Sequence, residues 1–215
     1  NPFILRRTKE EVAKDLPGKS EKRIIVELDE NQRFMYKNYL NNVREKIKTD
    51  SNIQVLSHLT RLRQICLHPA LVFPEYIGNS GKFIIAHKLI NTAIKNDRKI
   101  LIFSQFTSVL DMFGAELEED NIKFFKLSGD TLSKERMKLV NDFNNSDDVK
   151  VFLISLKAGG TGLNLTSANL VIHFDPWWNP AVESQASDRA HRIGQEKDVE
   201  VIKLIAKETI EESIV

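Results

Sequence analysis

The chain has 215 residues, 41% of them hydrophobic, which is enough to bury a core as one domain or as one domain with an appendage. Lys and Arg total 31 against 30 Asp and Glu, a formal net charge of +1, so a polyanion site must be a local arrangement and not a global basic field. One cysteine, Cys66, and five scattered histidines exclude a disulfide framework and leave no metal-ligand cluster; no apolar run approaches the roughly 18 residues of a membrane span, and an intracellular, reducing compartment fits.

In chain order, Arg6-Arg7 precede Thr8 and Glu11, a capping box for a short helix that Leu16-Pro17-Gly18 stops. The opening Asn1-Pro2-Phe3 is not a signal sequence, and with no initial methionine and an apolar Ile214-Val215 end the chain reads as a piece of a longer protein. Lys22 to Leu28 is β-branched and reads as a strand. Asp29 to Lys48 carries Phe34, Tyr36, Leu40, Val43 and Ile47 at helical spacing, with Asp29 or Asn31 as cap. A second helix from Ser51 to Leu67 is apolar at Val55, Leu59, Leu62 and Cys66, and His68-Pro69 ends it.

From Ser80 onward the pattern alternates. Helices are predicted over 82–96, 107–120, 133–143 and 179–193 and from Thr209, and strands over 99–104, 122–127, 149–154, 169–174 and 199–205. Short apolar strands between helices predict a parallel α/β sheet with helices on both faces, behind a mainly helical appendage over residues 1–80. Ligands on such a sheet gather at the carboxyl ends of the strands.

Three of those ends carry polar corners. Ser104-Gln105-Phe106-Thr107 leads into a helix whose free N–H groups favour a phosphate, although any strand-to-helix corner needs a cap. Leu127-Ser128-Gly129-Asp130-Thr131 supplies a glycine turn with small donors and Arg136 one turn further on. Ser155 to Leu165 holds Gly159, Gly160 and Gly162, which let a ligand approach the backbone closely. The strand ending at Phe174 then delivers Asp175-Pro176-Trp177-Trp178-Asn179-Pro180. Neighbouring residues of a strand point opposite ways, so one indole is expected in a groove, stacked on a base or contacting a second lobe, with core packing as the plain alternative.

The final candidate is the segment opened by Asn179 as N-cap and Pro180 at the first helical position and closed by Gly194. Continued as a helix to Ile193, it puts Gln185, Asp188, Arg189 and Arg192 on one stripe and Val182, Ala186, Ala190 and Ile193 on the adjacent apolar one. Paired arginines beside a carboxylate suit a polyphosphate; a solvated amphipathic helix is the plain reading.

Gln185 to Gln195, QASDRAHRIGQ, resembles the last helicase motif of the Swi/Snf family of helicase-like ATPases, part of helicase superfamily two. SLKAGGTGLNL from Ser155 resembles the S-x-K-A-G-G-x-G-L-N-L motif of that family, IFSQ its strand-end motif, and LRQICLHP its R-x-I-C-x-H-P element, with Leu67 where Asn is frequent. NPFILRRTKEEVAKDLPGKSE is similar to the segment that follows the first lobe. The resemblance covers nearly the whole chain and implies the C-terminal RecA-like lobe of a translocase on double-stranded DNA, residues 81–215, chromatin-remodelling-like. It implies Arg189 and Arg192 as arginine fingers on ATP, Gln185 and Asp188 orienting them, and Gly160, Gly162 and Asn164 at the cleft wall. It places Ser104, Gln105, Gly129, Thr131, Lys157 and Trp177 on DNA, and Arg6-Arg7 near the seam between lobes.

No G-x-x-x-x-G-K-[ST] and no acidic magnesium motif occurs in these 215 residues; in the nearest match, Gly78 to Lys82, the glycines stand too close and Phe83 replaces the hydroxyl. ATP with magnesium is therefore expected mainly on an N-terminal RecA-like lobe of the same protein. No cofactor or metal is expected in this chain, and no ATP turnover by it alone. Rival readings are a strand-separating superfamily-two helicase lobe and a non-catalytic nucleic-acid or protein-binding module.

Overall fold

Among the described residues six strands make one parallel sheet: β1 (Lys19–Val26), β2 (Ile100–Ser104), β3 (Phe124–Leu127), β4 (Val151–Ser155), β5 (Leu170–His173) and β6 (Val199–Ala206), in the order β1-β6-β5-β2-β4-β3. The computed structural model describes residues 16–159 and 162–214. The Thr8–Glu11 cap, Arg6, Arg7 and Gly160 lie outside the described residues.

The sheet sorts its strands by burial. β2, β4 and β5 have every residue buried, as continuous apolar runs between two helical layers require. β3 and β1 lie at the two edges and are partly exposed. β1 keeps its edge polar with Lys19, Glu21, Lys22 and Arg23, which discourages pairing with another chain. It begins three residues earlier than the sequence predicts because Lys19 already pairs with Val199, and it runs in register with β6 to Val26↔Ala206. An edge strand held on one side needs no apolar start.

The helices are α1 (Glu30–Lys46), α2 (Asn52–Leu67), α3 (Gly81–Lys95), α4 (Thr107–Glu119), α5 (Ser133–Asn145), the single turn α6 (Leu156–Gly159) and α7 (Pro180–Ser187). α3 and α4 cover one face of the sheet through Phe83, Ile90, Leu110 and Phe113. On the other face α5, α6 and α7 contribute Val140, Phe143, Ala158 and Ala186. A third cluster, with Tyr36 of α1, Leu62 and Ile65 of α2, Leu28 and Ala206, seats the α1–α2 hairpin against the carboxyl ends of β1 and β6. Asp29 caps α1 in a capping box with Gln32. Buried Gln32 donates to the carbonyls of Ile65 and Cys66 and accepts from the Gly81 amide at 3.1 Å. A Cβ at Gly81 would stand 2.1 Å from the Glu27 carbonyl oxygen, so only glycine lets α3 start there.

Lys82, the residue that made Gly78 to Lys82 look faintly like a phosphate loop, is fully buried. Its Nζ donates to the Phe174 carbonyl at 2.7 Å and lies 2.6 Å from Glu211 Oε2, with both side chains at 0% exposure. Glu211 stands in the 3-10 turn Ile210–Ser213, shorter than the helix expected from Thr209, and accepts from the Ala206 amide. The pair fastens the C-terminal turn to the helix layer.

His173, at the end of β5, is stacked on Phe103 and wholly buried. Ser187 donates its hydroxyl to the Glu183 carbonyl, so it accepts from His173 Nε2, leaving Nδ1 without a partner. Burial, aided by the charge of Lys203, pushes this imidazole down to about 3. A base whose folded pKa lies below its unfolded value binds a proton on unfolding, so stability is complete above the unfolded pKa and falls as pH drops through the window from about 6.5 toward 3. Denaturant unfolding between pH 7 and pH 5 should show an acid slope of up to ~1.4 kcal/mol per pH unit from this residue, absent in His173→Gln. An unchanged slope in the variant would show that another group titrates.

Candidate functional site

The carboxyl ends of β2 and β5 meet at Asp175. Its carboxylate is 0% exposed and accepts from the Ser104 hydroxyl at 2.6 Å, the Gln105 side-chain amide at 2.5 Å and the Gln105 backbone N–H at 3.3 Å. Burial pushes this carboxyl up; the Ser104 hydrogen bond and the charges of Arg63 and Lys82 oppose it. Arg63, carried in from α2, donates to the Gln105 side-chain oxygen at 3.0 Å and the Pro176 carbonyl at 2.6 Å and lies 3.5 Å from Asp175. The guanidinium sits over Phe106, Trp177 and Trp178 at 5.7, 5.8 and 5.4 Å from the ring centroids.

The structure gives the three residues expected on DNA in this corner the following settings. Ser104 is buried, with its hydroxyl donated to Asp175. Both ends of the Gln105 amide are engaged inside the corner. Trp177, expected on DNA, is half-buried against the core while its amide donates to Glu183, and Trp178 is the indole that reaches solvent, at 51% exposure.

The second corner is exposed at Gly129, where an added Cβ would meet nothing within 4 Å. Its shape is fixed by Arg136, which donates to the carbonyls of Thr131 and Gly129 at 2.8 Å each, and by the Ser128 amide, which donates to the Thr131 hydroxyl. Arg136 therefore braces this turn from within the chain. Lys157 is exposed on α6, and Gly162, with φ +46, is exposed with open space around it.

The arginine segment departs most from expectation. α7 starts as predicted, with Pro180 at its first position and the Asn179 side chain accepting from the Ala181 amide at 3.0 Å, but it ends at Ser187. Asp188 is the C-cap, and Arg189 and Arg192 belong to the turns that follow. The stripe of Gln185, Asp188, Arg189 and Arg192 therefore does not exist as one helix face, and Ile193, expected on the apolar side, is 79% exposed. Two causes act together. Ser187 turns its hydroxyl back to the Glu183 carbonyl and Asp188 brings a negative charge to the negative end of the helix, both unfavourable to elongation. Tertiary structure then claims the backbone, since Leu165 donates to the Arg189 carbonyl at 3.0 Å.

Gln195 locks the turn. Its side chain donates to the carbonyls of Ala168 and Ala190 and accepts from the amides of Glu196 and Lys197, while Gly194 adopts φ +100. Ala168 precedes β5 and Val199 begins β6, so the arginines flank the amino ends of these strands, at the other end of the sheet from Asp175. Arg189 is 7% exposed. Burial pushes its pKa down, the neighbouring charge of Arg192 adds to this, and Asp188 opposes it. Arg192 is exposed. Asp188 also lies 3.7 Å from Lys19 of β1, and His191 bonds to the Pro17 carbonyl at 2.8 Å, so the segment before β1 packs on the turn. Gln185 and Asn164 are exposed, and the Asn164 backbone carbonyl accepts from Asn144.

Arg63 and Asp175 were missed by sequence reasoning as parts of the site. A signal existed for the first: Arg63 lies four residues after Leu59 and three before Cys66, inside the apolar stripe, where a charge needs a buried partner.

Among the described residues no helix is long and apolar enough to cross a membrane. Residues 81–194 match the family model of the helicase conserved C-terminal domain, and residues 1–71 that of the SNF2-related domain. The fold and the two ends of the sheet thus define a C-terminal helicase lobe. More particularly, the chain belongs to the Swi/Snf family of helicase-like ATPases. It is similar to an ATP-dependent helicase of Mycoplasma pneumoniae, 45% identical over 217 residues that span 100% of this chain and 21% of that protein. It superposes on the SWI2/SNF2 ATPase C-terminal domain of Sulfolobus solfataricus with a TM-score of 0.77 and 37% identity, over 91% of this chain and 83% of that one. The SWI2/SNF2 ATPase core of the same organism, in complex with double-stranded DNA, gives 0.80 and 40%, over 99% and 47%. The chain spans about a fifth of the length of the curated Mycoplasma relatives it matches.

Proposed function

We propose that the chain is the second motor lobe of an ATP-driven translocase on double-stranded DNA, completed by an N-terminal RecA-like lobe of the same protein. Arg192, with Arg189 behind it, reaches the phosphates of ATP held on the other lobe. Asp188 and Gln185 set the guanidiniums, and Gly160, Gly162 and Asn164 form the cleft wall. Magnesium would come with the nucleotide and neutralise its phosphate charge. At the opposite end of the sheet, Gly129, Thr131 and Lys157 meet the DNA backbone, and Trp178 takes the place expected of Trp177. Ser104 and Gln105 support this end from inside through Asp175.

One observation carries the reading. The crossover after β4 starts at exposed Lys157, passes Gly162, and ends with Leu165 bonded to the Arg189 carbonyl and Ala168 bonded to Gln195. A single short segment is thus hydrogen-bonded to the arginine turn at one end and open to solvent at the other, which suits the transmission of lobe closure to a DNA contact. The full-length protein with ATP should displace a third strand from a triplex while leaving the duplex strands paired. Separation of the duplex strands would favour the unwinding reading, and no displacement with unaltered DNA binding would favour a non-catalytic module.

A further inference from the structure

We propose that Arg63 is a positioning residue of the DNA-contacting corner: from α2 it sets the pose of the Trp178 indole and so tunes affinity for the duplex. The inference rests on the duplex-facing reading of that corner given above.

Arg63 is 4% exposed, deep for an arginine, and α2 lies in the helical hairpin outside the sheet's two helical layers. Its planar head joins three elements at once. One nitrogen reaches Gln105 after β2, another reaches the Pro176 carbonyl after β5, and the guanidinium carbon lies within cation–π range of Phe106 and both indoles. Trp178 is half exposed and follows a proline and a half-buried tryptophan. The guanidinium 5.4 Å from its centroid is the one cation under this ring among the described residues. Nε of Arg63 is buried and makes no hydrogen bond among the described residues. A guanidinium held at cation–π distance from an exposed indole favours one ring pose and leaves the solvent-exposed part of the ring for a sugar or base.

Lysine keeps the charge and loses the planar fork and the stacking surface. In the full-length protein Arg63→Lys should raise the half-saturating duplex concentration for ATP hydrolysis about tenfold, with kcat at saturating duplex changed by less than about twofold. Gln105→Met, which removes one support of the guanidinium, should move the same parameter in the same direction by less. Trp178→Ala should match Arg63→Lys, and the double variant should be no weaker than Trp178→Ala alone. A fall in kcat and thermal midpoint with unchanged half-saturation, or additive effects in the double variant, would overturn the proposal and make Arg63 a brace. If Trp178→Ala itself leaves half-saturation unchanged, the duplex-facing reading of the corner fails first, and Arg63 loses the contact it is proposed to tune.

Discussion

Arg192→Ala in the full-length protein is expected to lower DNA-stimulated ATP hydrolysis by about 10³ to 10⁵, the range associated with removing an arginine finger, while duplex affinity changes by less than about twofold. The asymmetry follows from where the residue lies. Arg192 is exposed on a turn stapled by Gln195 beside the amino ends of β5 and β6, whereas Gly129, Lys157 and Trp178 follow the carboxyl ends of β3, β4 and β5. Removing its side chain leaves the carbonyl that accepts from the Gln195 amide untouched, so the turn survives. Arg189→Ala makes a useful contrast. That side chain is 7% exposed, so its loss should also lower stability, and the two arginines separate into a chemical and a mixed effect. Arg192→Lys should recover little, because a point ammonium cannot bridge two phosphate oxygens as a fork does. Equal rates for wild type and Arg192→Ala would remove the finger role outright.

Glu211→Ala should cost about 3 to 5 kcal/mol, the loss typical when one partner of a buried ion pair is deleted, and should lower the thermal midpoint by roughly 10 °C. Lys82 would then be left charged at 0% exposure with the Phe174 carbonyl as its remaining partner, and the Ala206 amide would lose its acceptor. Replacing both residues, Lys82→Met with Glu211→Leu, should restore part of the loss, since an apolar pair removes the buried charge. Full restoration is not expected, because the Phe174 carbonyl and the Ala206 amide stay unpaired. Scanning calorimetry of wild type and the two variants checks the order. A Glu211→Ala midpoint within about 2 °C of wild type would show that the C-terminal turn is not fastened by this pair.

Much of this architecture is legible in the residues. Apolar runs such as Ile100 to Phe103 and Val151 to Ile154 can only be central strands, and each became one because helices cover both faces. Helix starts were readable where a side chain does the capping: Asp29, one of the two caps the sequence offers with Asn31, and Asn179 are the N-caps. The end of α7 was legible only in part: Ser187 and Asp188 oppose elongation from within the segment, but the bond to the Arg189 carbonyl comes from Leu165, distant in sequence, which periodicity does not register. The same limit explains Ser104 and Trp177. Sequence shows a hydroxyl at a strand end and two indoles in a row, but which of them faces water depends on Asp175 and on Arg63 arriving from α2. Lys82 illustrates the converse: its spacing from Gly78 and Gly81 does not match a phosphate loop, but only the fold reveals Glu211 as the partner of that lysine.

The separation of the two ends of the sheet is tested most directly by one duplex titration of ATP hydrolysis in the full-length protein, run on wild type, Arg192→Ala and Trp178→Ala. The account predicts that Arg192→Ala collapses kcat, and that Trp178→Ala raises the half-saturating duplex concentration about tenfold with kcat nearly intact. Both variants moving the same parameter would contradict it.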